Sequence, residues 1–307
     1  MTTNKRHYSK PKELPLFSAA ARAKAMQSHA HDLAEPMHVS CGLASLDISL
    51  NGGFTRGTVT LCAGRPRVGT SSLLIGIALS ACKRGESTAI LSESVSARQM
   101  RGRIVLLEAK VNGYRVSAGL ISPEDRIAIA SANERLPWQF VHIYARNRIS
   151  AADIHEHIKT YRPWYLLADL QPRPEVNPVT HDPVTALALG VENLKTIARQ
   201  HHVAIVVRYT MPIAHGRPNR GELPGLGAYA EAFDTVLLLH RGDDADDEMS
   251  LEPPATLPGR IAEVQIVRHD GKDCSPIHIK LHFDQRYAAM SDWDAVEKSD
   301  DSVLTTT

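Results

Sequence analysis

One run in this 307-residue chain has the residue types and spacing to hold phosphate. Ala63-Gly64-Arg65-Pro66-Arg67-Val68-Gly69-Thr70-Ser71-Ser72 fits the pattern G-x-x-x-x-G-K-[ST] at every fixed position but one, where Thr70 stands in place of lysine. In such a loop, backbone N–H groups cradle phosphates and the lysine brings positive charge to the β- and γ-phosphates. Gly64, Arg65, Pro66, Arg67, Val68, Gly69, Thr70, Ser71 and Ser72 are therefore the expected nucleotide contacts. Ser71 holds the hydroxyl position that ligates Mg²⁺, and Asp169 ends an apolar run, where a second carboxylate holds the water shell of that ion. The cofactors this pattern expects are ATP and Mg²⁺.

A loop of this kind needs a strand before it and a helix after it. Thr58–Ala63 is apolar and β-branched and leads directly into the loop, and Ser71–Arg84 is an apolar helix pattern ending at Gly85. Further strands are expected at Ser87–Ser92, Phe140–Tyr144, Trp164–Ala168, His202–Val207 and Thr235–His240, with helices at Ala97–Val111 and Val184–His201 between them. This alternation predicts an α/β fold with a central, mostly parallel sheet and helices on both faces. Ile261–Arg268 and Ile277–Phe283 predict a closing β-hairpin about Asp270-Gly271.

Outside that core, residues 1–12 carry Lys5, Arg6, Lys10 and Lys12 and read as a disordered basic arm. Residues 13–38 read as a helical linker segment, 39–290 as the α/β domain, and 291–307 as a polar, disordered tail. Asp243–Pro258 reads as an acidic, proline-bearing insertion.

Composition limits the partners. Lys and Arg total 35 against 34 Asp and Glu, a formal charge of +1, so the whole chain has no nucleic-acid signature. Cys41, Cys62, Cys82 and Cys274 lack metal-binding spacing and read as reduced core thiols. His155 and His157 lie two apart, face different ways on a helix, and read as solvated. No run approaches the roughly 18 apolar residues of a membrane span, and no signal-peptide core is present, so the expected compartment is the cytoplasm with no membrane partner.

Beyond the loop, Cys41-Gly42-Leu43-Ala44-Ser45-Leu46-Asp47 and Asn51-Gly52-Gly53-Phe54-Thr55-Arg56-Gly57 precede it, and Gly227–Asp234 with Val236–Arg241 follow. Together with Gly64-Arg65-Pro66 and the closing hairpin from Arg260, these segments resemble the RecA-like motor domain of DnaB replicative helicases, helicase superfamily 4, from about Val39 to Met290. The resemblance implies a RecA-like P-loop domain acting in DNA replication, ATP·Mg²⁺ bound between subunits of a hexameric homo-oligomer, and single-stranded DNA as a partner. The segment 13–33 resembles in position the linker helix by which one subunit docks on the next.

The departures from the family fall on motor positions. Thr70 replaces the lysine, and Ser94 falls at the glutamate that polarises water. Glu93 lies one residue early, which turns its carboxylate to the other face of a strand unless a local bulge restores it. Tyr209 falls at the sensor glutamine, and Pro224 at an arginine of the DNA-facing loop. Arg268 is the candidate for the finger that acts in trans on a neighbour's nucleotide. Two readings follow: a nucleotide-binding DnaB-like protein with impaired hydrolysis, or a non-catalytic oligomeric scaffold that docks onto a replicative helicase or senses nucleotide.

Overall fold

The computed structural model describes residues 37–170, 183–214, 216–224, 227–241 and 260–293. The basic arm, residues 13–36 of the linker segment, the acidic insertion and the tail beyond residue 293 lie outside the described residues, and His38, assigned to the helical linker, is instead in a strand.

Chain order runs β1 His38–Val39, α1 Ala44–Ser49, β2 Phe54–Thr55, β3 Val59–Gly64, α2 Thr70–Lys83, β4 Thr88–Ser92 and α3 Ala97–Ala109. Then come α4 Gly113–Ser117, α5 Pro123–Arg135, β5 Val141–Ala145, α6 Ala151–Tyr161, β6 Tyr165–Asp169, α7 Pro183–His201 and β7 Ala204–Thr210. The chain closes with α8 Ala228–Glu231, β8 Thr235–Arg241, β9 Arg260–His269, β10 Lys272–Asp284 and β11 Ala289–Asp292. Nine strands form one sheet in the order β11-β10-β9-β8-β3-β7-β6-β4-β5. The pairs joining β8, β3, β7, β6, β4 and β5 are all parallel, and β8–β9, β9–β10 and β10–β11 are antiparallel.

Strand alternation divides the core in two. Cys62, Ile90, Leu167, Val206 and Leu237 point toward α2 and α3, while Leu61, Leu91, Leu166, Ile205 and Leu238 point toward α6 and α7. Both faces of the parallel strands are covered, which is why these strands read as continuous apolar runs. Three helices begin with reciprocal caps, Ser96 with Gln99, Ser122 with Asp125 and Ser150 with Asp153.

The structure alters several expectations. The hairpin turns at Asp270 and Gly271, both at positive φ as a two-residue turn requires, but a further strand, β11, pairs with β10. The tail boundary drawn after Met290 cuts this strand, because four residues beside a polar run show no periodicity of their own. Asp292, assigned to the tail, accepts hydrogen bonds from the Ala44 and Ser45 N–H groups at 2.8 and 2.9 Å. His155 and His157 are half-buried rather than solvated: the His155 ring sits 4.8 Å from that of His201, and the His157 ring 4.6 Å from that of Tyr161. The cysteines are free thiols, three buried and Cys274 half-buried. Among the described residues no helix is long and apolar enough to cross a membrane, and no cluster of three His, Cys, Asp or Glu could hold a metal.

Candidate phosphate-binding site

The loop sits where β3, buried along its whole length at the centre of the sheet, meets α2. A Cβ on Gly64 would lie 2.7 Å from Val68 Cγ2, 2.8 Å from Thr70 Cγ2 and 3.0 Å from the Leu239 carbonyl oxygen. The loop thus folds back onto the strand end too closely for any side chain. Gly69 adopts φ +104, and a Cβ there would strike Met290 Cε at 2.7 Å. Arg67 takes a left-handed φ of 69 and is exposed beside Pro66.

The first bond within α2 runs from Leu73 N–H to the Gly69 carbonyl at 2.9 Å, and Gly69 supplies no side-chain cap. The N–H groups of Thr70, Ser71 and Ser72 therefore have no acceptor within the helix, and the positive end of a 14-residue helix lies behind them. Free backbone donors and a helix dipole of this kind suit an anion. Thr70 is buried with its methyl against Gly64, so the lysine position contributes packing and no charge. Val68 is buried beneath the loop, and Ser71 and Ser72 are half-buried on the first turn.

Asp169 ends β6, 5% exposed, and its carboxylate is already engaged. Its Oδ1 accepts from Arg208 Nε at 2.6 Å and pairs with Nη2 at 2.5 Å, while Oδ2 accepts from Ser94 Oγ at 2.6 Å and Ser92 Oγ at 3.5 Å. Arg208 lies on β7 opposite Cys62 of β3, and alternation places it on the sheet face that α2 covers. Its Nη1 donates to Thr210 Oγ1 at 2.8 Å, and Thr210 is the register partner of Gly64. Burial pushes the neighbouring Cys62 thiol up to about 12, against the opposing pull of the Arg208 guanidinium. This donor set suits a polyphosphate and not magnesium. The carboxylate that would hold the ion's waters has both oxygens occupied by N–H and O–H donors, leaving Ser71 as the sole remaining ligand of the expected pair.

The other sequence candidates point elsewhere. Glu93 Oε1 accepts the Ile149 N–H at 2.8 Å, on the side where parity alone directs it, and no bulge returns it to the loop. Arg65 is 10% exposed and tied by Nη2 to Glu222 at 2.7 Å and by Nη1 to the Gly216 carbonyl, so it braces the connection after β7. Tyr209 packs on the face opposite Arg208, its ring 6.0 Å from that of Tyr229, and burial pushes its phenol up. Arg268 donates to the Phe233 carbonyl at 2.8 Å and pairs with Asp273 at 2.7 Å, which holds it within its own chain. Strand β7 separates the loop strand β3 from the Asp169 strand β6, and Arg208 with Thr210 spans the gap, while Arg65, Glu93 and Arg268 are engaged elsewhere. The sequence reading missed Arg208; its signal is a lone cation inside the apolar run Ala204–Thr210.

Comparison with known proteins follows the same lines. The family described as DnaB-like helicase C terminal domain matches residues 38–292. Replicative DNA helicase DnaB of Geobacillus stearothermophilus is 30% identical over 117 residues, 38% of this chain and 26% of that protein. The chain spans about a quarter to a half of the length of the curated relatives it matches. Among solved structures, an ATPase domain aligns with TM-score 0.69 and 17% identity over 90% of this chain and 99% of that one. A DnaB-like replicative helicase, solved with its interactions with primase, aligns with TM-score 0.69 and 17% identity over 91% of this chain and 67% of that one. At such identity these structures establish the fold, which is RecA-like.

Proposed function

The chain belongs to the DnaB-like helicase C-terminal domain family, and from that premise we propose that it binds ATP at the Gly64–Ser72 loop with impaired hydrolysis. The observation that carries this reading is the pairing of an intact anion cradle with a disarmed carboxylate. The cradle keeps its glycines, its uncapped helix N-terminus and the first-turn serines. Asp169 is committed to Arg208 and Ser94, the lysine position is a buried threonine, and Glu93 is turned to Ile149.

Binding and turnover ask different things of such a site. Backbone N–H groups and a helix dipole hold the ground state, whereas hydrolysis needs a positioned water and charge stabilisation that grows in the transition state. In this chain the Ser94 hydroxyl, which cannot act as a base of carboxylate strength, stands where the resemblance puts the water-polarising group. The first role remains and the second is stripped.

A second reading, a non-catalytic oligomeric scaffold that docks onto a replicative helicase or senses nucleotide, is favoured by one observation: the guanidinium of Arg268 is engaged inside its own chain by the Phe233 carbonyl and Asp273. Both readings share the nucleotide site. Calorimetric titration with a non-hydrolysable ATP analogue tests it, with micromolar binding, about −8 kcal/mol, the expected result. Absence of binding at millimolar analogue removes the nucleotide site from both readings.

A further inference from the structure

The phosphate site carries a cation that neither the loop motif nor the resemblance supplies. Arg208 projects from β7 between the strand that bears the loop and the strand that bears Asp169. Strand parity sets it on the same face as Gly64 and Asp169, since Ala204 and Val206 precede it in the α2-facing core and Leu167 precedes Asp169 there. Its side chain is 15% exposed, so it neither trails into solvent nor lies sealed.

A guanidinium has five N–H donors in a planar fork. Among the described residues Arg208 donates from Nε to Asp169 Oδ1 and from Nη1 to Thr210 Oγ1, and its Nη2 lies 2.5 Å from the same Oδ1. One donor on each terminal nitrogen is left for another acceptor. The pair is also neutral as a unit: the carboxylate that would otherwise repel a polyphosphate is cancelled by the cation next to it. In a site built around magnesium, the ion bridges a carboxylate to the phosphates. Here a side chain already joined to that carboxylate has the charge and the donor geometry for phosphate oxygens.

We propose that Arg208 is the resident cation of this site, so that the nucleoside triphosphate binds without a divalent metal. The proposal rests on the nucleotide-site reading above and adds its metal independence. It also accounts for two departures together. With a fixed guanidinium beside Asp169, a lysine at position 70 would add a second buried cation, and Thr70 avoids it. With no metal to orient, Asp169 is kept as the anchor of Arg208, and the Ser92 and Ser94 hydroxyls complete its hydrogen bonding.

The test is titration of the full chain with a non-hydrolysable ATP analogue in excess MgCl₂ and, separately, in excess EDTA. The expected dissociation constants agree within about twofold. Arg208→Ala should weaken binding in EDTA by about tenfold or more, and Arg208→Lys should recover part of that loss. Asp169→Asn, which removes the counter-charge but keeps the cation, should leave binding in EDTA equal or tighter. A purely structural ion pair would instead make Arg208→Ala and Asp169→Asn weaken binding alike, which overturns the proposal. Binding of the unaltered chain that requires Mg²⁺ overturns it without touching the nucleotide-site reading. Binding absent in both buffers overturns that reading, and this inference with it. Thermal melting of each variant separates lost binding from lost folding, and the unaltered chain decides the question even if Arg208→Ala does not fold.

Discussion

At the scale of single residues, the site is defined by what occupies three positions. Thr70 fills the lysine position with a buried methyl, Ser94 donates to Asp169, and Arg208 holds the same carboxylate from the neighbouring strand. Thr70 and Ser94 were legible because a motif fixes their place in sequence. The misdirection of Glu93 was legible too, because a one-residue shift in a strand reverses its face. Arg208 was not, since its meaning comes from Asp169, far away in the chain and adjacent only once β6 and β7 pair in parallel. Gly69 gives a sharp residue-level test. Its φ of +104 and the 2.7 Å approach of Met290 Cε leave no room for a branched side chain. Gly69→Val should abolish analogue binding and lower stability by about 1–3 kcal/mol, read by calorimetry and thermal melting; unchanged binding would mean that the loop does not hold the ligand. Cys62, its thiol pushed up to about 12 by burial, should resist alkylation at pH 8 in the folded chain and react only on unfolding.

At the scale of elements, the strands of the parallel sheet were found within one to three residues at each end because apolar, β-branched runs bounded by polar turns have few other uses. Helices α4 and α5 escaped the reading, although Ser122-Pro123-Glu124-Asp125 has the form of a cap with proline at the first turn. Strand β11 escaped because only its partner β10 makes it a strand. Its last residue nevertheless ties the sheet edge to α1. Asp292→Ala frees the Ala44 and Ser45 N–H groups and should cost about 1–2 kcal/mol, the scale of a lost helix cap, measured by denaturant unfolding. The edge formed by β5 and α6 carries a histidine cluster. Burial lowers His157, with a hydrogen bond at the His142 backbone opposing it; burial and then the charge of His157 lower His142. Burial, then His155 and Lys159, lower His201. For a histidine lowered on folding, the unfolded chain binds the proton more readily. Stability is therefore complete above the unfolded value of about 6.5 and is lost as pH falls below it toward the folded values. The melting temperature should drop between pH 7 and pH 5, and His157→Leu should shallow that drop; an equal slope in the variant would remove His157 from the account.

At the scale of the whole molecule, alternating strands and helices announced a mostly parallel sheet covered on both faces, the resemblance implied that it is RecA-like, and the matched family covers nearly all of the described chain. Oligomerisation was read only from resemblance, because a surface that pairs with another copy has no periodicity to mark it. If the protein assembles as its family does, light scattering with analogue present should give a mass several times 33.7 kDa, and a monomer at high concentration would remove the ring from the proposal. The central claim is that a family of motors has here yielded a domain that holds nucleotide without turning it over. The most direct measurement is steady-state ATP hydrolysis, with and without single-stranded DNA, on protein shown by titration to bind the analogue. Turnover below about 10⁻² s⁻¹ in both conditions is expected, roughly a hundredfold under the slow end of ordinary enzymes. Turnover of about 1 s⁻¹ or faster would contradict it.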